Sequence, residues 1–262
     1  MRGLRPETVV AVRAAQAAGR ILMAHLGRVR RVRHKGPADL VTPVDLAAER
    51  CIIGLLSARF PALGFLGEEG GRRGPAGDDH WIVDPLDGTT AFVHGLPTFA
   101  VCIALARGGR LETGVTLLPR LGELFVAERG RGAFLNGRRI RVSRRARLGD
   151  ALLILWHDHS VWANRPLRER LASVARRARA VRSEGAGYAL ACVAAGRADA
   201  YWEQSAEPWD MAAGALLVAE AGGRVTDDRG RPLRLAQKTI LATNGRLHER
   251  LLRRLDPKGR ER

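Results

Sequence analysis

The sequence contains little cysteine, few aromatic residues and no long apolar run, and each shortage excludes a class of protein. The three cysteines among 262 residues lie in separate apolar segments, which indicates neither a disulfide framework nor a zinc pattern. Aromatic residues make up 5% of the chain and are not interleaved with the basic segments. The uncharged run at residues 185–196 is well short of the ~20 residues that a membrane helix needs.

The N-terminal segment, residues 1–26, mixes Arg and Glu with its apolar residues. This pattern predicts an amphipathic helix rather than a signal peptide. We therefore expect a soluble, cytoplasmic protein.

Basic residues dominate the charge: 44 Lys and Arg against 27 Asp and Glu give a net charge of +17. Such a surface attracts nucleic acid, an acidic partner or a phosphorylated substrate. Nearly all of these residues are Arg, scattered along the chain without a nucleic-acid motif. We interpret them mainly as solvated surface, with nucleic-acid binding as the weaker alternative.

Hydrophobic periodicity predicts two N-terminal helices, then strands, then an alternation of strands and helices. The predicted helices are residues 8–26, 45–59, 161–179, 186–195, 208–223 and a last one ending near 255. The predicted strands are 80–84, 99–106, 111–118, 122–128, 151–156, 198–203 and 239–243, with a hairpin at 133–142 around Asn136 and Gly137. A turn-rich linker at 34–45 separates the first two helices. This order predicts an α/β layered fold.

The stretch "WIVDPLDGTT" places Asp84 and Asp87 on a tight turn directly after an apolar strand. Pro85 fixes the turn, and Gly88 lets the backbone bend closely, so both carboxylates can point into one space. Two such groups repel each other unless they are protonated or bridged by cations, and their hard oxygens suit Mg²⁺. Taken alone, the segment is also compatible with an ordinary turn.

Two further acidic segments accompany this turn. Glu68 and Glu69 follow an apolar segment in "LGEEG", and Asp210 lies in the first turn of the helix that begins with "PWD". Taken singly, the first reads as a solvated loop and the second as a charge that stabilises a helix start.

Together and in this order, the segments resemble the inositol monophosphatase family of Mg²⁺-dependent sugar and cyclitol phosphatases. The similar segments are "KGPADLVTPVD", "GEEG", "WIVDPLDGTTAFVHGLPTFAVCIALA", "GELFVAERGRGAFLNGRRIRVS", "VAAGRADAYWE" and "PWDMAAGALLVAEAGG". The resemblance implies an α/β (α+β) layered αβαβα sandwich in one domain, 1–262. Within it we expect an N-terminal lobe at about 1–145 and a C-terminal lobe at about 146–262.

The resemblance also implies which residues form the site. Two or three Mg²⁺ ions would be held by Glu68, Asp84, the carbonyl of Leu86, Asp87 and Asp210. Catalytic roles fall to Glu68, Asp45 and Thr89, because Asp45 pairs with Thr89 and this threonine helps orient the water held by the first metal. Substrate contacts fall to Gly88, Thr89, Thr90, Gly185, Ala186 and Glu203. Glu69 matches a second family acid whose role is less defined.

Two positions depart from the family pattern. Ala91 stands where the family usually has Asn, which removes a polar contact beside the metals. Glu184, Gly185 and Ala186 stand where the family commonly has a Gly-Ser/Thr-Ala run. The added carboxylate either disfavours anionic groups at the substrate edge or lies in solvent.

The expected function is a Mg²⁺-dependent phosphomonoesterase that acts on a small polyol phosphate, foremost inositol 1-phosphate. Water activated by metal would attack in line, without a nucleophilic side chain. Alternatives within the same fold are histidinol phosphate, fructose 1,6-bisphosphate and adenosine 3',5'-bisphosphate. A basic RNA-binding or regulatory protein that retains the fold is the alternative from another class. The resemblance also implies a homodimer.

Overall fold

The computed structural model describes residues 3–29, 32–34, 40–156 and 160–255. Part of the predicted linker, residues 35–39, lies outside the described residues. In the described part, the helices are α1 Pro6–His25, α2 Pro43–Arg59, α3 Thr89–Val93, α4 Ser160–Ala163, α5 Arg165–Ala175, α6 Ala186–Ala194, α7 Pro208–Glu220 and α8 His248–Leu255. The strands are β1 Arg33–His34, β2 Leu40–Val41, β3 Gly64–Gly67, β4 Gly71–Arg73, β5 His80–Asp87, β6 Ala100–Arg107, β7 Arg110–Leu118, β8 Glu123–Glu128, β9 Gly132–Leu135, β10 Arg138–Arg139, β11 Leu152–Leu155, β12 Ala180–Arg182, β13 Ala200–Glu203, β14 Arg224–Thr226 and β15 Ile240–Thr243.

Two large sheets organise the chain. The first has eight strands in the order β10-β9-β8-β7-β6-β5-β3-β4, and all its pairs are antiparallel except β3 with β5. The second has five strands in the order β12-β11-β13-β15-β14. In it, β11 pairs in parallel with β12 and β13, and β15 pairs antiparallel with β13 and β14. A short antiparallel ribbon, β1 with β2, stands apart.

Three hydrophobic cores join five layers. One core packs α1 and α2 against one face of the eight-stranded sheet. The central core packs α6 and α7 between the two sheets, and the third packs α5 and α8 on the outer face of the five-stranded sheet. This αβαβα order confirms the expected fold class. The central core takes side chains from both sides of residue 145, and the division into two lobes there stays a prediction.

Strand β6 shows how the layers are spaced. Its large residues Val101, Ile103 and Leu105 face α1 and α2, whereas the alternate positions, small residues such as Ala104, face α6 and α7. A strand buried on both faces reads as a continuous apolar run, as this segment does. The small residues let the central helices lie close to the sheet, which brings their N-termini near the end of β5.

Helix starts follow their sequence signals. Pro6, Pro43 and Pro208 each occupy the first turn of a helix, where a missing backbone N–H costs nothing. The side-chain oxygen of Thr42 accepts the backbone N–H of Val44 at the start of α2. The predicted hairpin is confirmed, and Asn136 adopts a positive φ of 49° there.

The largest departure from the predicted elements concerns one helix. The helix expected over 161–179 is divided into α4 and α5, and α5 ends at Ala175. Pro166 lacks the N–H that a continuous helix needs, and the side chain of Asn164 caps the new start by accepting from Leu167 N. Strands β4, β12 and β14 were not predicted, because three residues are too few to show a period.

None of the described helices combines the length and the apolar composition that crossing a membrane requires.

Candidate metal centre

Strand β5 carries two aspartates to one side of the sheet. Residues three apart on a regular strand face opposite sides. Here the register shifts between Asp84 and Asp87, whose partners on β6, Cys102 and Ala100, are only two residues apart. The intervening Pro85 cannot donate to the ladder, which suits such a bulge. The irregularity therefore turns both carboxylates toward the same space.

Helix α7 supplies the third carboxylate from the other side of the central core. Asp210 lies in its first turn, and its Oδ2 accepts the backbone N–H of Glu207 at 2.6 Å. One oxygen from each of Asp84, Asp87 and Asp210 lies within 4.8 Å of the others. The structure thus brings Asp210 together with Asp84 and Asp87, which precede it by 126 and 123 positions in the sequence.

The electrostatics of this cluster favour a bound cation. Burial raises the pKa of Asp84 and Asp210 well above the usual carboxyl range, and the neighbouring acids raise both further. Burial likewise raises the pKa of Asp87 to about 7. Like charges in a site of low dielectric destabilise each other, and a divalent cation with oxygen ligands relieves that repulsion. The donor set therefore fits Mg²⁺.

Glu68 and Glu69 lie on the turn between β3 and β4. Glu68 shares a side-chain hydrogen bond with Asp84, and its charge contributes to the raised pKa of Asp84, Asp87 and Asp210. It therefore borders the three-aspartate cluster, and its role as a metal ligand stays a prediction. The backbone N–H of Glu69 donates to the carboxylate of Glu49 at 2.9 Å.

The N-terminus of α6 approaches Asp87 from the second sheet's side. Asp87 Oδ2 accepts the backbone N–H of Gly187 at 3.0 Å. Hydrogen bonds from the backbones of Gly187, Tyr188 and Ala186 oppose the upward shift of the Asp87 pKa. A Cβ on Gly185 would lie 2.8 Å from the same oxygen. Only a residue without a side chain fits this contact, which explains glycine at 185. Gly185 and Ala186 thus lie beside the acidic cluster.

Behind the cluster, Asp45 and Thr89 are linked. The hydroxyl of Thr89 lies 3.2 Å from Asp45 Oδ1 and 3.1 Å from the carbonyl oxygen of Leu86. Asp45 is fully buried, which raises its pKa, and its Oδ2 accepts the backbone N–H of Thr42 at 2.9 Å. The predicted pair is therefore in contact, and the same aspartate completes the capping box of α2.

Residues after Asp87 turn sharply into α3. Gly88 has a φ of 81°, in the left-handed region that glycine adopts without strain. The helix begins at Thr89, and Thr90 is exposed beside it. Ala91 follows on the same short helix, half-buried.

Glu203 ends β13 and is buried close enough to Asp210 to raise its pKa. The hydroxyl of Tyr201 donates to Glu203 Oε2 at 2.7 Å. Glu184 lies near Tyr188 and Cys192, where its charge contributes to raising the pKa of both side chains.

Sequence reasoning missed Glu49 and Tyr201. Each carried a periodic signal: Glu49 follows Asp45 by four residues on a helix, and Tyr201 precedes Glu203 by two residues on a strand. These spacings place each pair on one face of its element. Which neighbour that face meets depends on tertiary packing.

The comparisons with known proteins agree with this geometry. The sequence model described as the inositol monophosphatase family matches residues 4–259. The Nus factor SuhB of Pseudomonas aeruginosa is 43% identical over 263 residues, covering 97% of each chain. The inositol-1-monophosphatase of Rhizobium meliloti is 45% identical over 244 residues, covering 90% of each. A crystal structure of extragenic suppressor protein suhB from Bartonella henselae has a TM-score of 0.91 and 44% identity, covering 96% of this chain and 98% of that one.

The raised pKa values predict how Mg²⁺ stabilisation depends on pH. Without metal, the folded chain holds protons that the unfolded chain releases above about pH 4, so its stability falls as the pH rises through the folded pKa, about 7 for Asp87. Mg²⁺ competes with these protons. We expect the increase in Tm caused by Mg²⁺ to be larger at about pH 8 than at about pH 5, measured by scanning fluorimetry against EDTA.

Asp87→Asn serves as the comparison, because it removes one titrating ligand and should reduce both the shift and its pH dependence. Equal Mg²⁺ shifts of the unsubstituted protein at both pH values would contradict this prediction.

Proposed function

The chain belongs to the inositol monophosphatase family, and from this premise we propose that it is a Mg²⁺-dependent phosphomonoesterase that hydrolyses a small polyol phosphate. Inositol 1-phosphate is the leading candidate. The single observation that carries the proposal is the convergence of Asp84, Asp87 and Asp210 within 4.8 Å. Such a set of buried acids suits the binding of divalent cations, which would in turn bind a phosphate ester.

The proposed metal ligands divide into two groups. Glu68, Asp84 and the Leu86 carbonyl would hold one ion, and Asp84, Asp87 and Asp210 a second. The total would be two or three ions. When bound, Mg²⁺ supplies a Lewis acid that lowers the pKa of water and neutralises charge on the leaving oxygen.

Asp45 and Thr89 orient the attacking water in this proposal. The carboxylate of Asp45 holds the Thr89 hydroxyl at 3.2 Å, and its own position is fixed by the start of α2. Water would attack phosphorus in line, and the bond from phosphorus to the polyol oxygen would break. A proton lost by the water would end on that oxygen, so that the products are inorganic phosphate and a free alcohol. Glu68, beside Asp84, completes the proposed catalytic group.

The substrate would lie between the segment that follows β5 and residues at the start of α6 and the end of β13. Backbone N–H groups and hydroxyls at Gly88, Thr89 and Thr90 would bind the phosphate. Gly185 and Ala186 would border the substrate, and Glu203 would accept from polyol hydroxyls. The contact between Tyr201 and Glu203 supports this role, since it fixes the carboxylate in one orientation.

Replacing one metal ligand tests the proposal. We expect Asp87→Asn and Asp210→Asn each to lower Mg²⁺-dependent phosphate release by about 100-fold or more, because an amide offers a weaker ligand than a carboxylate. Release would be measured from inositol 1-phosphate, histidinol phosphate, fructose 1,6-bisphosphate and adenosine 3',5'-bisphosphate. Asp78→Asn, at an exposed position just before β5, is the matched control.

One clear preference among the four esters would identify the substrate class. Full Mg²⁺-dependent release by either ligand variant would refute the site assignment. If none of the esters is hydrolysed by folded protein, the proposed substrate class is wrong.

Tyr201→Phe tests the role of Glu203. The substitution removes the hydroxyl that donates to this buried carboxylate, and a hydrogen bond to a charged group contributes roughly 1.5–3 kcal/mol. We expect kcat/KM for the preferred polyol phosphate to fall by about tenfold. Phenyl phosphate is the control, because it carries no polyol hydroxyls and its hydrolysis should change little. An equal loss on both esters would contradict a role in polyol recognition.

A second candidate function is nucleic-acid binding in a regulatory role. Two observations favour it: the net charge of +17 and the 43% identity to a protein named Nus factor SuhB. Such binding releases counterions and weakens steeply with salt. Fluorescence anisotropy with a short RNA should then show affinity above that of a basic control protein at physiological salt. Absence of that excess would exclude this function.

The homodimer implied by the resemblance stays a prediction, which light scattering would test.

A further inference from the structure

Glu49 is a buried carboxylate that lies directly behind the turn carrying Glu68 and Glu69. It is 3% exposed, on the face of α2 that packs toward β3 and β5. None of the roles assigned above uses it. We propose that Glu49 is a positioning residue, whose carboxylate holds this turn so that Glu68 faces the aspartate cluster. The inference rests on the proposed function, in which Glu68 is a metal ligand.

The first supporting observation is a hydrogen bond. The backbone N–H of Glu69 donates to Glu49 Oε2 at 2.9 Å, twenty residues away in the sequence. Glu69 directly follows Glu68, so this bond fixes the backbone next to the proposed ligand. On the other side of Glu68, its own N–H donates to the carbonyl of Val83 at 3.1 Å. The segment is therefore held from α2 on one side and from β5 on the other.

The second observation is the close approach of two glycines. A Cβ on Gly67 would lie 2.6 Å from Glu49 Oε2, and one on Gly70 would lie 2.5 Å from Oε1. Neither glycine has a positive φ, so its backbone conformation does not explain the residue type. At Gly67 the nearest atoms to such a Cβ all belong to Glu49, whereas at Gly70 the Cζ and Nε of Arg73 would also lie 2.6 Å away. Gly67 thus leaves room for the carboxylate alone, and Gly70 leaves room for the carboxylate and for the Arg73 guanidinium.

The third observation is the phase of α2. Asp45 and Glu49 are four residues apart and lie on one face of the helix. Asp45 contacts Thr89, and Glu49 contacts the turn after β3. One rigid helix thus supports two parts of the site that come from different segments of the chain.

A hydrogen-bonding role of Glu49 and an electrostatic role predict different effects of substitution. A turn held by a hydrogen bond needs an acceptor at the right distance, which Gln retains and Ala removes. An electrostatic role needs the negative charge, which Gln removes. Asp keeps the charge but, being one carbon shorter, withdraws its oxygens from the N–H of Glu69.

The experiment measures Mg²⁺ binding by calorimetry without substrate, together with the Mg²⁺ concentration for half-maximal phosphate release. We expect Glu49→Ala and Glu49→Asp to weaken Mg²⁺ binding by about tenfold, as the loss of a group that supports a metal ligand does. The Mg²⁺ affinity of Glu49→Gln should stay within about twofold of that of the unsubstituted protein. Gly67→Ala should weaken Mg²⁺ binding as much as Glu49→Ala does, although it retains every acidic residue. The Mg²⁺ requirement should change more than kcat at saturating Mg²⁺.

Two matched controls separate positioning from general destabilisation. Glu128→Ala removes another buried carboxylate that accepts a backbone N–H, that of Arg5 at 2.6 Å, three strands away from β5. It should lower Tm and leave Mg²⁺ affinity unchanged. Gly54→Ala, also on α2, adds a methyl group where no atom lies within 4 Å. It should leave Mg²⁺ affinity unchanged and should not lower Tm, because alanine is the better helix former.

Unchanged Mg²⁺ affinity in both Glu49→Asp and Gly67→Ala would overturn the proposal. So would a Gln variant as impaired as the Ala variant, since charge would then be the property that matters. Should Glu49→Ala not fold, the Asp, Gln and Gly67→Ala variants still decide between these results. Calorimetry keeps the two hypotheses apart: absence of phosphate release by the unsubstituted protein refutes the proposed function, whereas the pattern of Mg²⁺ affinities tests Glu49.

Discussion

Mutual repulsion among buried carboxylates is the constraint on which the arrangement of this protein depends. Asp84, Asp87 and Asp210 lie within 4.8 Å of one another, and burial and neighbouring charges raise their pKa values. A flexible chain would separate these groups, because each is better solvated alone in water. Keeping them together requires elements whose own packing determines where the side chains lie. The layered fold supplies such elements from several directions.

Each acid is delivered by a different kind of local structure. The bulge of β5 turns two aspartates to one side, whereas the first turn of α7 orients Asp210 through the N–H of Glu207. The N-terminus of α6 partly offsets the repulsion, since its backbone N–H groups stabilise the charged form of Asp87. Because α6 and α7 pack between the two sheets, both helix starts can reach the end of β5. The central core therefore determines the site's geometry.

A second set of contacts supports the residues that touch the cluster. Helix α2 reaches the site through Asp45 and Glu49, and β13 holds Glu203 through Tyr201. The contacts of Asp45 with Thr89 and of Tyr201 with Glu203 are buried, and that of Glu49 with the N–H of Glu69 is partly buried. A polar contact in such surroundings is stronger than in water and helps to hold one geometry. Phosphate ester hydrolysis needs that order, because attacking water, phosphorus and leaving oxygen must lie in line.

Local sequence patterns predicted the acidic turn at Asp84 and Asp87 and most helices and strands, and the resemblance predicted the family and the fold. These follow from local chemistry: prolines and glycines set the turns, and periodic apolar residues set the buried faces. The break at Pro166 was also present in the sequence, although the periodic pattern concealed it. No local pattern predicted that Glu49 accepts the N–H of Glu69 or that Gly185 lies against Asp87. Those contacts join residues 20 and about 100 positions apart, and packing between layers, which no local pattern records, sets their distances.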